Sequence, residues 1–542
     1  MKARLPVVVL LLLMTVSAVL AWSTLTRGHD WGDDFAQYIM QARSVLEGRP
    51  SAFVEANRFT IRNSAYAVGP VAYPWGFPVL LAPVYAVFGL NVMALKSVDV
   101  LCFLLFLLVV WKGFQRYHAL GWRVVLFCLF AFNPTLLRFV DQIAGDIPFL
   151  LLSTISLLLI GRLVIEKRDL ISPGWDRWIL GGAMAGAFAI RSNGILLPAT
   201  LALTQVISAL AIVYQADGPH DRLPGNLARV FSMKQYSRRD LVLLVLPYAS
   251  FTALVVAWRL LLPEGDVSVQ TGQFASTTMG AIRQNVDYYL DLPGEFFQGV
   301  PHAYLIYGAT IPLAIAGAIR RYRFDYHALI YLVLTMLLYV VYPTTGGLRY
   351  VFPILPFYLS FVVSCLEDWT AARPYPWRAL RTSFAFVSVL IVLACFGRES
   401  ARGALANLSR DRIRPSGPFT DTSADMFSFI VDHTETDSTV VFFKPRAMRM
   451  MTGRRAVKLY KVGDLSRADY LTLFKPDEMR DQVAPDDVRC MTEMGAIEPV
   501  YRNVDFVVYR IVQSHKNAMK TNLGCATPTA PLRGTLSSNL DR

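Results

Sequence analysis

Two adjacent carboxylates, Asp33 and Asp34, stand in the run His29-Asp30-Trp31-Gly32-Asp33-Asp34-Phe35-Ala36-Gln37-Tyr38. A carboxylate can take a proton from a hydroxyl or an amine as a general base. Aspartate is also a good helix N-cap, and residues 35–46 read as a helix, so capping is the competing expectation. Two more carboxylates, Asp141 and Asp146, share a brief polar stretch, and Arg191 and Arg349 lie in two others. Arginine holds a phosphate by paired hydrogen bonds. A base near such cations suits group transfer from a phosphate-bearing donor to a nucleophile.

The elements that have to position these residues are apolar. The chain has 542 residues, 54% of them hydrophobic, with a mean hydropathy of +0.40. Apolar blocks recur at 5–22, 91–111, 124–133, 147–165, 178–190, 195–214, 241–262, 303–319, 326–342, 350–366 and 384–396. The expected fold class is therefore membrane all-α, a polytopic helical bundle of about 11 spans. Block 79–90 is broken by Pro83 and is expected to lie in the membrane interface.

The net charge is +13. In a soluble chain this would raise nucleic acid as a partner. Here much of the excess falls in short loops such as Arg320-Arg321-Tyr322-Arg323, which is the positive-inside pattern. Nucleic acid is therefore not an expected partner, whereas the lipid bilayer is. The basic start, Met1-Lys2-Ala3-Arg4, places the N-terminus in the cytoplasm, and the Asp33-Asp34 loop then emerges on the other side of the inner or plasma membrane. Residues 5–22 also fit a cleaved signal peptide; a retained first helix is preferred.

Residues 1–397 form the expected membrane module. Residues 398–515 are more polar and read as a small extracytoplasmic α/β domain, with a helix at 423–431 and strands at 438–443 and 505–511. The stretch 516–542 is rich in Ser, Asn, Thr and Pro, and reads as a disordered tail. Cys102, Cys128, Cys365 and Cys395 belong to apolar blocks as packing residues. Cys490 and Cys525 lie in the polar part and are compatible with a disulfide there.

The residues also carry a resemblance. An Asp pair follows the first span, with Tyr38 and then Gln41-Ala42-Arg43 on the same helix. Tyr73-Pro74-Trp75-Gly76-Phe77-Pro78, with Leu80-Leu81 and Phe88-Gly89, forms an aromatic-Pro-x-Gly run. Leu348-Arg349-Tyr350-Val351-Phe352-Pro353-Ile354-Leu355-Pro356 forms a late Arg-Tyr-x-x-Pro-x-x-Pro segment, and the piece 186–194 contains Arg191. Over about residues 1–400 the chain resembles the GT-C superfamily of integral membrane glycosyltransferases. Within it the chain is similar to bacterial relatives of protein O-mannosyltransferases and the lipid A aminoarabinose transferase.

That resemblance implies an inverting transferase with a polyprenyl-phosphate sugar donor and an envelope acceptor: a glycolipid, a cell-wall polysaccharide or a protein. One Asp of the first loop would deprotonate the acceptor. Asp34 is preferred over Asp33, because the family's aromatic then falls four residues on, at Tyr38. Arg349, with Tyr350 beside it, resembles the residue that holds the lipid phosphate; anchoring of a helix end is its structural alternative. Arg191 would share the phosphate or pair with an Asp. Asp141 and Asp146 would orient substrate or cap the following span. Tyr73 and Trp75 would line a sugar or lipid path, or belong to an interfacial aromatic belt.

The chain departs from the aminoarabinose transferases at Ala72-Tyr73-Pro74-Trp75, where no Glu-Lys-Pro-Pro run occurs. That puts that sugar and a family-style metal site in doubt. No residues are assigned as metal ligands, since His302 and Glu295 belong to no spaced ligand motif, and the cofactor requirement is left open. Two readings from other classes are a transporter or flippase of lipid-linked saccharide, and a non-catalytic envelope assembly protein. Transporters place charges at mid-membrane, often with internal repeats, whereas here the ionisable residues gather in loops.

Overall fold

In hydrocarbon every backbone N–H and C=O has to be paired within its own segment, so long apolar runs become helices. The computed structural model describes residues 5–65, 68–166, 175–217, 238–263, 277–342, 345–371, 378–408, 416–476 and 482–520. Among the described residues, seven helices are long and apolar enough to cross a membrane: Leu5–Ser23, Val92–Gly113, Asp146–Ile165, Ser192–Leu210, Val242–Leu261, Ala303–Val341 and Ala379–Leu408. The protein is a multi-pass membrane protein.

Length and composition thus give fewer spans than the roughly eleven expected from apolar blocks. Two causes are visible. Blocks 303–319 and 326–342 run together into the 39-residue helix Ala303–Val341, which leaves helical geometry at Asp325. The helices Asp176–Ile190 and Leu355–Ala371 have only 15 and 17 residues. The helix Leu120–Ala131 has 12 residues and meets Pro134–Val140 at a 54° bend, an eighth span if the pair is one. The bend falls at Asn133-Pro134, where proline has no N–H to donate. The block at 79–90 appears as the 13-residue helix Gly76–Phe88.

The last long helix, Arg378–Leu408, continues past the boundary expected at 397. Its extension is held to the bundle by Ser400, which donates to the Phe132 carbonyl, and by Asn407, which donates to the Thr24 carbonyl at 2.7 Å. Cys102, Cys128, Cys365 and Cys395 are free. Cys525 lies outside the described residues, as do the charged residues Arg222, Arg229 and Lys234 of one long loop and Glu264 and Asp266 of another.

The C-terminal domain is a mixed five-stranded sheet, in the order β2-β1-β3-β5-β4. The strands are β1 (Thr439–Val441), β2 (Arg455–Val457), β3 (Tyr470–Phe474), β4 (Ile497–Arg502) and β5 (Phe506–Ile511). β1 runs parallel to β2 and β3, and β5 runs antiparallel to β3 and β4. The expected helix is Asp421–His433. The stretch read as tail starts instead as the helix Lys516–Lys520, whose Met519 is fully buried in the domain core. Residues 521–542 lie outside the described residues.

The domain meets the bundle through the first loop. The indole of Trp31 sits among Phe442, Phe443, Phe474 and Phe506, with ring centroids 5.1 to 6.1 Å away. Close approach of backbone seals the same junction. A side chain at Gly28 would collide with the backbone of Ser416, and Gly417 takes a left-handed φ of 59° against the carbonyl of His29.

Candidate active site

The helix Asp34–Leu46 starts directly after the loop, with Asp33 at its N-cap position. Asp33 makes no capping bond to its own helix. Its Oδ1 instead accepts the backbone N–H groups of Arg446 and Ala447, at 3.1 and 3.2 Å. Those groups open the helix Pro445–Thr452 of the C-terminal domain, whose own N-cap residue, Lys444, makes no side-chain cap. Asp33 therefore caps a helix of the other domain, where a carboxylate also meets the positive end of the helix dipole. Burial pushes the Asp33 carboxyl above its ordinary range, against the opposing pull of Arg446 and Lys444.

Asp34, one residue on, is 46% exposed. Its Oδ1 accepts the hydroxyl of Tyr73 at 2.6 Å. Arg446 Nη1 is 3.7 Å from Oδ1, and Arg349 Nη1 is 4.0 Å from Oδ2. Tyr73 is set in place by Gln41, seven residues along the helix from Asp34, which donates to the Tyr73 carbonyl at 2.9 Å and accepts its N–H at 3.0 Å. The Tyr73 ring packs on Tyr38 at 4.8 Å. Burial, and then the Asp34 charge, hold the Tyr73 hydroxyl well above its usual range, so it stays protonated and donates.

Two loops bring the arginines. The helix Asp176–Ile190 ends at Arg191, which is extended and precedes the short turn Ser192–Ile195. The tightness of that turn requires Gly194, since a side chain there would strike the backbone of Ala187 and Phe188. Arg191 donates to Asp146 at 2.6 Å, and the Asp146 side chain is 3% exposed. Burial works against the charge on Arg191, but the Asp146 carboxylate outweighs it and holds the guanidinium above its ordinary value. Arg349 comes from the turn Leu348–Tyr350, its Nε donating to the Gly346 carbonyl at 2.8 Å. Burial opposes its charge as well, and Asp146 and Asp34 more than compensate. Tyr350 lies between the two arginines, with Cζ atoms 5.6 and 5.7 Å from its ring, and stacks on Tyr339 at 4.4 Å. Asn193 donates to the Tyr339 hydroxyl.

Of the residues singled out from sequence, Asp34, Tyr73, Arg349, Tyr350, Arg191 and Asp146 therefore gather at one end of the bundle, and Asp33 stands beside them at the domain junction. Asp141 does not join them. It accepts Lys96 Nζ at 2.6 Å and both the N–H and the hydroxyl of Thr26, and so ties the first loop to the helix Val92–Gly113. Trp75 is buried and turns away, donating to the Pro263 carbonyl at 2.7 Å and packing on Phe53. Asp146 starts its helix without capping it. Among the described residues no three His, Cys, Asp or Glu side chains cluster closely enough to hold a metal, and His302 is exposed in a left-handed turn.

Arg446 is the residue that sequence reading missed. It lies more than 400 residues from Asp34, in a polar domain with many arginines. A Lys-Pro-Arg step opening a helix was the available signal, and it is common.

No protein-family model matches the chain, and no curated protein matches it by sequence. Solved structures do. ArnT from Cupriavidus metallidurans in the apo state matches with a TM-score of 0.57 and 14% identity, over 98% of this chain and 100% of that one. The same protein bound to undecaprenyl phosphate matches at 0.54 and 14% identity, over 96% and 99%. The Archaeoglobus fulgidus oligosaccharyltransferase in the apo form matches at 0.50 and 11% identity, over 86% of this chain and 69% of that one. This chain shares the fold of these solved structures.

Proposed function

We propose that this chain, built on the GT-C fold, is a glycosyltransferase that moves a sugar from a polyprenyl-phosphate donor to an extracytoplasmic envelope acceptor. The observation that carries this reading is the grouping of Asp34 with Arg349 and Tyr73, next to the Arg191–Asp146 pair. A half-exposed carboxylate, held by one hydroxyl and flanked by two guanidiniums, fits a base that works beside a phosphate. The ArnT structure containing undecaprenyl phosphate supports a lipid-linked donor. The positive-inside pattern supports a cytoplasmic N-terminus, with the Asp34 loop and the α/β domain outside.

In this reading the acceptor hydroxyl attacks the anomeric carbon from the face opposite the leaving phosphate. The new bond to the acceptor oxygen forms as the bond between the anomeric carbon and the phosphate oxygen breaks, so the configuration inverts. Asp34 takes the proton of the acceptor hydroxyl. Arg349 meets the charge that develops on the departing polyprenyl phosphate. Arg191, already paired with Asp146, acts from behind by fixing Tyr350 and adding positive potential. Asp33 holds the α/β domain against the loop, and Asp141 keeps the first loop seated.

The test is a transfer assay in membranes. A panel of radiolabelled polyprenyl-phosphate sugars is offered to endogenous acceptors, with water-soluble nucleotide sugars as the control donors. Label entering an envelope fraction from a lipid-linked donor supports the reading. Transport of intact lipid-linked sugar with no new glycosidic bond would replace it by the flippase alternative.

A further inference from the structure

Arg446 belongs to the C-terminal domain yet ends inside the site of the membrane module. Its side chain is 1% exposed. Nη2 donates to the Pro70 carbonyl at 2.9 Å, Nη1 lies 3.7 Å from Asp34 Oδ1, and Cζ lies 5.5 Å over the Tyr73 ring. Resting on the reading of Asp34 as the base, we propose that Arg446 is the positioning residue for that base, and that the C-terminal domain thereby supplies part of the active site.

Three separate features bring the guanidinium there. Asp33 grips the backbone N–H of Arg446 itself and of the next residue, which fixes the root of the side chain. Gly69, at a φ of +92°, leaves the space that the tip occupies; a Cβ there would come within 2.8 Å of Nη2. The Phe cage around Trp31 fixes the domain as a body. A fully buried guanidinium is costly unless it is paired. A packing role would be served by an apolar side chain of similar length, whereas a charge aimed at Asp34 needs arginine. Together with the Tyr73 hydroxyl, Arg446 restricts Oδ1 and leaves Oδ2 facing Arg349 and the open side. The same contacts make Asp33 the residue that couples domain docking to the base one position away.

The test compares wild type, Arg446→Gln, Arg446→Lys and Asp34→Asn, reading kcat, donor KM and melting temperature. Arg446→Gln is expected to lower kcat by roughly 30-fold or more with donor KM within about threefold, and Arg446→Lys to lie about three- to tenfold below wild type, within the range of acid–base effects. Arg446→Gln within twofold of wild type, with Asp34→Asn inactive, would overturn the role of Arg446 alone. Asp34→Asn at full rate would instead remove the base reading itself. If Arg446→Gln does not yield folded protein, Arg446→Lys decides: a lower kcat at unchanged melting temperature supports the proposal, and an unchanged kcat overturns it.

Discussion

Tyr73 donates its hydroxyl to Asp34 Oδ1 at 2.6 Å, from a position 39 residues along the chain. The bond closes a loop between two elements at the same end of the bundle, and Gln41 makes it rigid by holding the Tyr73 backbone from both sides. A carboxylate oriented in this way keeps one oxygen restrained and the other available, as a positioned base requires.

Tyr73→Phe keeps the ring on Tyr38 and removes only that bond. A hydrogen bond to a charged group is worth about 1.5–3 kcal/mol. Transfer is therefore expected to slow by roughly 10- to 100-fold, with a melting temperature close to that of wild type. Initial rates at saturating donor, alongside a thermal melt of the purified protein, check this.

Asp33 and Asp34 are expected to separate into a structural and a chemical residue. Asp33→Ala strips the acceptor from two backbone N–H groups of the other domain, at about 1–3 kcal/mol, and so lowers the melting temperature. Asp34→Asn leaves the melt unchanged and lowers kcat by roughly 10²- to 10⁴-fold. A melt and a rate on the same two preparations distinguish them. A large loss of rate per folded molecule in Asp33→Ala, with Asp34→Asn active, would move the base by one residue.

Trp31 is the apolar counterpart of Asp33 at the junction. Trp31→Ala empties a cage of four phenylalanines, and large-to-small changes of this kind cost about 3–5 kcal/mol. The C-terminal domain is expected to become susceptible to limited proteolysis while the membrane helices remain protected. Time courses of cleavage, followed by mass analysis of the fragments, report it.

Much of this was legible in the residues. The apolar blocks marked the helices, and Pro83 marked the short one. Asp34 was preferred over Asp33 from its register with Tyr38, and Tyr73, Arg349 and Arg191 were singled out. Partnership was not legible. Capping by the Asp pair was an expectation for the helix that follows it, but Asp33 caps one that begins more than 400 residues later. Asp141 is the same residue type as Asp146, and Trp75 is an aromatic like Tyr73, and only the direction of the side chain excludes them. Two strands of the α/β domain were recognised, but Tyr470–Phe474 was not, although its aromatic ends and β-branched centre suit a strand. The apolar blocks do not settle the number of spans, because a hydropathy block records where a helix is apolar, not where it bends or joins the next.

The α/β domain should also respond to acid through Asp469. This carboxylate accepts the N–H of Thr439 and the ammonium of Lys516, both at 2.9 Å. Burial pushes it upward, but those partners outweigh burial and hold it below its ordinary value. A carboxylate lowered by folding contributes stability above its unfolded value of about 3.9, which is lost as pH falls through the folded value. The wild-type melting temperature is expected to drop more steeply than that of Asp469→Asn as pH falls from about 4.5 to about 3. Parallel curves for the two proteins would show that Asp469 contributes nothing to acid sensitivity.

The central claim is that Asp34 removes the proton of the acceptor while a sugar leaves a lipid phosphate. Its most direct test is single-turnover transfer from a radiolabelled polyprenyl-phosphate sugar, comparing wild type with Asp34→Asn at equal amounts of folded protein. The account predicts labelled, anomerically inverted product from wild type and at least a hundredfold less from Asp34→Asn, near the lower end of what a general base contributes. Equal product from both proteins, or retention of anomeric configuration in the wild-type product, would contradict it.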